Sequence, residues 1–277
     1  KQTDKQTDNK KGLRGRAVSS GEVSMRVVVV GAAGRMGVAV RAALQDWPGS
    51  KLVGAIDREA NAQEGITTDL ESVLAEANVM IDFSSAATTA KNLSACARHG
   101  VAALVGTTGL DSEALAAANA AAAKVPVIVA ANTSLGVTLL LELVRAAAGA
   151  LPADFDIEII EGHHRHKKDA PSGTALALGR AAAAGRGQTL DSTMADDRRG
   201  ESARRAGEIG FAVVRGGDIV GDHTVLFAGA GERVAISHQA TDRAIFARGA
   251  LQAAFWLLGR APGRYEMSEV IGFKSIT

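Results

Sequence analysis

From Glu161 to Thr174 the chain reads Glu-Gly-His-His-Arg-His-Lys-Lys-Asp-Ala-Pro-Ser-Gly-Thr, with six consecutive basic or potentially basic residues from His163 to Lys168. Ser172 is a good N-cap for a helix beginning at Gly173, and Pro171 fixes the approach to it. The first N–H groups of that helix, on Gly173 and Thr174, would point outward and form a pocket suited to a carboxylate. His163 and Lys167 are four residues apart, which in a compact turn puts both on one side of the loop. Anion cradle, imidazoles and ammonium together suit proton transfer to a small acidic molecule. Three other readings compete. A metal site lacks a nearby cysteine and any His-Glu-x-x-His helix. A nucleic-acid patch fits poorly with the few aromatics. A merely solvated basic loop leaves the anion-cradling helix start unexplained.

A second constellation is Gly31-Ala-Ala-Gly34-Arg35-Met36-Gly37, directly after the Val27–Val30 run. Glycines there permit a tight turn and close approach to a pyrophosphate, and the following helix start offers unpaired N–H groups to the anion. Asp57 ends the next apolar run, 20 residues past Gly37, where it can accept hydrogen bonds from the adenine ribose. Arg58 follows and can pair with a 2′-phosphate or stack on adenine. Asp57 favours NADH and Arg58 favours NADPH, so either cofactor is expected. Gly106-Thr107-Thr108-Gly109, Ala131-Asn132-Thr133-Ser134 and Asp82-Phe83-Ser84 each follow a short apolar run. They should share the carboxyl edge of one sheet, where open α/β folds bind ligands. Simple turn chemistry would account for any one of them alone.

These residues need positioning elements. Strand patterns at 26–30, 52–57, 79–84, 101–105 and 126–130 alternate with helical stretches at 35–46, 86–98 and 111–123. Continuous apolar runs indicate strands buried on both faces, hence a doubly wound parallel sheet of Rossmann type. After Gly136 come a helix (137–149), a strand (155–161), the His-rich loop and a helix from 173. A charged stretch (185–208) follows, then strand candidates at 209–215, 223–229 and 232–238, which suggest an antiparallel meander. A strongly apolar helix spans 243–259. The expected organisation is a disordered extension over 1–24 and a dinucleotide-binding domain over 25–133, to which 243–277 returns. A substrate-binding and oligomerisation domain over 134–242 completes it, an α+β unit on an open, mostly antiparallel sheet.

At 277 residues, 47% hydrophobic and 22% charged, the composition is that of an ordinary globular protein. Residues 1–24 carry six Lys/Arg against three Asp/Glu, leaving 25 against 27 in the rest, which argues against nucleic-acid binding. The first 24 residues open with a repeated Lys-Gln-Thr-Asp and hold no apolar run of signal-peptide length, so Met25 is the expected natural start. No stretch approaches the roughly 20 apolar residues of a membrane span. The single cysteine, Cys96, fits a reducing cytoplasm.

The run His163-His164-x-x-Lys167-x-Asp169-Ala-Pro-Ser-Gly-Thr174 resembles the signature of the 4-hydroxy-tetrahydrodipicolinate reductase (dihydrodipicolinate reductase) family of lysine and diaminopimelate biosynthesis. Gly31-x-x-Gly-Arg-Met-Gly37, Gly106-Thr-Thr-Gly109 and Asn132-x-Ser134-x-Gly136 resemble the same family's motifs in the same order, from Met25 to about Phe273. The resemblance implies NADPH- or NADH-dependent reduction of a cyclic imine dicarboxylate with loss of water. It implies His163 and Lys167 as the catalytic pair, Lys167 being favoured as proton donor. Further, it implies that His164, Gly173, Thr174 and Arg243 bind the substrate, without a metal. It implies that Gly31, Gly34, Arg35, Met36, Gly37, Asp57, Arg58, Phe83, Gly106, Thr107, Thr108, Ala131, Asn132 and Thr133 bind the cofactor. A homotetramer formed through the second domain's sheet is expected. Thr133 departs from the aromatic usual at its position, which removes stacking there, and Lys168 replaces a common aliphatic residue. Two rivals stay open: another Rossmann oxidoreductase acting on a small acidic carbonyl or imine, and a non-catalytic dinucleotide sensor.

Overall fold

The computed structural model describes residues 25–195, 201 and 203–273. The extension expected over 1–24 lies outside them, as do 196–200 and 202 of the charged stretch. The Val27–Val30 run lies in strand β1 (Met25–Val30), four of whose six residues are fully buried. Alternate side chains of a strand serve opposite faces, and here both faces are covered. Val27 and Val29 pack with helix α1 (Arg35–Gln45), while Val28 and Val30 pack with Leu93, Cys96 and the small side chains of two further helices. Those helices follow β2 (Ser50–Ile56), β3 (Ile66–Thr67), a short α2 (Glu71–Leu74) and β4 (Val79–Asp82). They are α3 (Ala86–His99), before β5 (Ala102–Val105), and α4 (Ser112–Ala122), before β6 (Pro126–Val129).

β6 hands over to α5 (Leu135–Ala150), β7 (Asp156–His163), α6 (Gly173–Gly185) and a single turn, α7 (Leu190–Thr193). Then come β8 (Ile209–Arg215), β9 (Gly221–Ala228), β10 (Arg233–Ala240), α8 (Ala244–Leu257), β11 (Gly263–Tyr265) and α9 (Met267–Val270). The first sheet is parallel throughout, in the order β11-β6-β5-β4-β1-β2-β3. Its strand order reverses between β1 and β4, and a crevice opens there at the carboxyl ends. Helix α8, apolar nearly all round, inserts Ala247, Ala250, Leu251, Ala254 and Leu257 beside α1 in the core of this sheet. The last segment even adds an edge strand, β11, which carries no apolar run.

The second sheet has the order β10-β9-β7-β8, with α5 and α6 on one face. The expected architecture is present, a Rossmann-type sheet followed by an open, mostly antiparallel one. The meander is not. β8 pairs parallel with β7, not with β9, and only β9 and β10 form a hairpin. The link between β8 and β9 (216–220) passes round the end of β7, where Gly216 N–H donates to His163 O and Arg165 N–H to Gly217 O. Alternation identifies a strand but not its neighbour. The face opposite α5 and α6 carries Ile160 paired with Ala212, Leu226 paired with Ala235, and Val214, interspersed with Glu158, Thr224 and Ser237, and Ile160 and Val214 are 40% and 50% exposed. Among the described residues no helix is long and apolar enough to cross a membrane.

Candidate active site

The dinucleotide end is built around the turn between β1 and α1. Gly31 has φ +76°, and a Cβ there would lie 2.6 Å from Phe83 O. At Gly37 a Cβ would lie 2.1 Å from Gly31 O, so the helix start is packed directly on the turn. Gly34 caps α1 without a side-chain bond, and the first turn contains no acid. Its leading N–H groups are therefore left for an anion. Arg35 is exposed and Met36 half-buried against the core. Asp57 lies beside this turn: its Oδ2 accepts from Ala33 N–H (2.9 Å) and its Oδ1 from Arg58 N–H (2.8 Å). The Arg58 side chain is exposed.

The same edge gathers the later loops. Asp82, fully buried, accepts from Ser84 N–H (2.8 Å), Ser84 Oγ (2.5 Å) and Asn92 Nδ2 (3.0 Å). This fixes Phe83 in the crevice, and Gly106 lies against the Phe83 ring. Thr107 is buried with its hydroxyl 3.4 Å from Asp82, whereas Thr108 and Ala131 are exposed and Asn132 is half-buried. Thr133 is not brought to the crevice by its side chain. It is 2% exposed, and its hydroxyl donates to Phe246 O in α8 at 2.7 Å.

The second end is organised by an acid that sequence reasoning did not single out. Glu161 is 1% exposed, and its carboxylate accepts from His163 Nδ1 (2.6 Å), Ser172 N–H (2.9 Å) and both Nη atoms of Arg215 (2.8 Å each). Burial alone would raise its pKa. Arg215, His163 and Ser172 outweigh that and hold the carboxyl below the usual range. Ser172 caps α6, its Oγ accepting from Ala175 N–H (3.1 Å). Exposed Gly173 and half-buried Thr174 follow, and their N–H groups have no intrahelical acceptor. Buried His223 contacts Ser172 Oγ through Nε2 (3.3 Å) and meets the His163 ring edge-on at 5.1 Å. Burial first, then His163, push the His223 pKa down to about 4.

Lys167 Nζ lies 2.8 Å from Asp169 Oδ2, an ammonium that holds the Asp169 carboxyl below its ordinary range. Arg243, at the N-cap of α8, reaches His164 Nε2 at 3.3 Å. Burial and then the Arg243 charge lower the His164 pKa, which keeps that ring neutral beside the cation. Asn132 Nδ2 donates to Thr174 Oγ1 at 3.2 Å. The carboxyl edge of the first sheet thus touches the anion-cradling start of α6, and the two ends form one cleft. Glu161 and His223 could have been found from the alternation of their strands: Glu161 is in phase with buried Ile157 and Ile159, and His223 with Val225 and Phe227. Nothing local distinguishes Arg215.

Comparison with known proteins gives the family. A model described as dihydrodipicolinate reductase, N-terminus, matches residues 25–133, and one described as dihydrodipicolinate reductase, C-terminus, matches 136–271. The chain belongs to the dihydrodipicolinate reductase family. Relatives within it include the 4-hydroxy-tetrahydrodipicolinate reductase of Thiobacillus denitrificans, 47% identical over 91% of this chain and 100% of the relative. That of Zymomonas mobilis is 49% identical over 91% of this chain and 98% of the relative. Among solved structures, the dipicolinate-bound dihydrodipicolinate reductase from Paenisporosarcina sp. TG-14 has the same fold, with a TM-score of 0.74 at 24% identity over 90% of this chain and 99% of that one. The two dihydrodipicolinate reductase models meet between residues 133 and 136, where β6 gives way to α5.

Proposed function

We propose that this reductase converts 4-hydroxy-tetrahydrodipicolinate to tetrahydrodipicolinate and water, using NADPH or NADH. The observation carrying this reading is the Asn132–Thr174 bond, which joins the dinucleotide edge to the carboxylate cradle. The uncapped α1 start and the close-packed glycine turn fit a pyrophosphate, and exposed Arg35 and Arg58 fit its surroundings. When bound, the nicotinamide would supply a hydride to C4 of the substrate ring after the 4-hydroxyl, with a proton from the neighbouring carbon, has left as water. Gly173 and Thr174 N–H, His164 and Arg243 hold the two carboxylates. Lys167 leaves Asp169 to neutralise the substrate and donates the proton at the carbon next to C4, and His163 is the second proton-handling group. Gly31, Gly34, Gly37, Asp57, Phe83, Gly106, Thr107, Thr108, Ala131 and Asn132 line the cofactor side. Thr133 belongs to the same loop as Asn132, with its hydroxyl and carbonyl both turned towards α8.

The test is a coupled assay in which aspartate semialdehyde, pyruvate and the preceding synthase generate the substrate while NADPH or NADH absorbance is followed. Oxidation should require both the chain and the synthase. Failure to oxidise either cofactor would end the proposal. We further propose a homotetramer closed through the uncovered face of the second sheet, supported by the exposed side chains of Ile160 and Val214. A cytoplasmic location, where reduced nicotinamide is supplied, agrees with the free, buried Cys96 and is checked by cell fractionation.

A further inference from the structure

The Glu161 carboxylate receives four hydrogen bonds, two on each oxygen. Oε1 accepts from Ser172 N–H (2.9 Å) and Arg215 Nη2 (2.8 Å), and Oε2 from His163 Nδ1 (2.6 Å) and Arg215 Nη1 (2.8 Å). At 1% exposure there is no water to substitute for any of them. A buried carboxylate is tolerable only when charge-paired and hydrogen-bonded in this way. Arg215 is itself tied down, through donation to Val214 O and Asp169 O (2.7 Å each). The two oxygens therefore serve different parts of the cleft. One holds an imidazole, the other holds the backbone at the start of α6.

We propose that Glu161 is the positioning residue of this site, clamped by Arg215, and that it fixes the proton-handling ring and the carboxylate cradle with a single side chain. The inference rests on the function proposed above. With Glu161 ionised, His163 must present a proton on Nδ1, which leaves Nε2 as the atom that exchanges protons. Room is kept there: a Cβ at Gly221 would lie 3.2 Å from Nε2. The charged and titratable groups around the ring are Glu161 on its own strand, Arg215 on β8, His223 on β9, and His164, Lys167 and Asp169 on the loop that follows. His223 is held neutral and its Nε2 is engaged by Ser172, so it adds no competing cation. Through Ser172 N–H the same carboxylate sets the angle at which Gly173 and Thr174 meet an anion. Displacing it should disturb both chemistry and substrate binding, and not cofactor binding.

Glu161→Gln tests this. The amide is close in shape but brings two N–H donors, so one of its faces must oppose two existing donors. Wild type and variant are compared in the coupled assay across pH, with NADPH affinity from fluorescence titration. The expected result is a kcat lowered by about 10²-fold. The substrate KM rises several-fold and NADPH affinity stays within about twofold. With the negative charge gone, the pH dependence of kcat/KM should differ from that of wild type, because the carboxylate that fixes the proton on His163 Nδ1 is lost. Should Glu161→Gln fail to fold, Arg215→Lys decides, since it keeps the charge but loses the two-pronged grip. A smaller fall in kcat and a smaller rise in KM are then expected, with the Glu161 charge retained. A folded variant that melts earlier but keeps the wild-type KM and pH profile overturns the proposal. Absence of turnover in wild type would instead remove the functional reading itself.

Discussion

Lys167 and Asp169 pair across a turn closed by Lys167 N–H on His164 O, so the ammonium is held in place before any substrate arrives. A dicarboxylate must take over that contact. Lys167→Ala should therefore lower kcat by about 10²- to 10⁴-fold. NADPH affinity, read by fluorescence titration, should be unchanged, and unimpaired turnover would take Lys167 out of the reaction. A second residue separates cofactor binding from packing. Thr133 spends its hydroxyl on Phe246 O inside the protein, a second donor to a carbonyl within α8, so Thr133→Val removes that bond and should cost about 0.5–1.5 kcal/mol in chemical denaturation. Cofactor affinity should hold. At this scale the sequence made the loop from His163 to Thr174 legible because charge and cap chemistry are local. Arg215 was illegible because its meaning lies in a parallel neighbour 54 positions from Glu161.

Elements carry the next level of constraint. The contact between α1 and its turn leaves no space for a methyl at position 37, so Gly37→Ala must push the turn outward. Overpacking of this kind costs about 1–3 kcal/mol, and NADPH affinity should weaken about tenfold or more if the strain is relieved by moving the phosphate cradle. In the second sheet the buried row of β7 and β9 makes the element acid-sensitive. His223 takes up its proton near pH 6.5 when unfolded but only at about 4 when folded. Its contribution is thus intact above 6.5 and is lost progressively as pH falls towards 4, reaching about 2 kcal/mol at pH 5. Glu161, also depressed in the folded state, acts in the same direction: its stabilisation is present above the ordinary carboxylate range and disappears as pH drops through the folded value. Wild type should lose more stability between pH 7.5 and 5 than His223→Gln. Equal slopes would show that this ring does not titrate as described. Elements with continuous apolar runs were readable because burial on both faces dictates them. β11 and the place of β8 were not, since Gly263–Tyr265 has no such run and strand neighbours are chosen by tertiary packing.

At the scale of the whole molecule, the chain passes between its two sheets at residues 133–135 and again at 240–244, and the two passages are packed together. Thr133 O would lie 1.8 Å from a Cβ on Gly249, and the Thr133 hydroxyl bonds the backbone of α8. Two adjacent connections of this kind keep the cleft in one alignment. What they leave open is the far face of the second sheet, where Ile160 and Val214 meet solvent while α5 and α6 cover the other side. Isolated exposed aliphatics are ordinary, but Ile160 and Val214 together on a sheet face opposite the one that α5 and α6 cover suit a surface that pairs. A charge placed there would be buried without a partner on assembly, at a cost that an interface cannot absorb several times over. Because symmetric copies each contribute the same patch, one substitution is repeated in every subunit. The double variant Ile160→Glu, Val214→Glu should therefore run as a single 28.4 kDa chain in light scattering, where wild type runs at a multiple of that mass. It should also keep its NADPH affinity, since the glycine turn lies on the other sheet. A wild type that is already monomeric would leave the uncovered face without its proposed occupant.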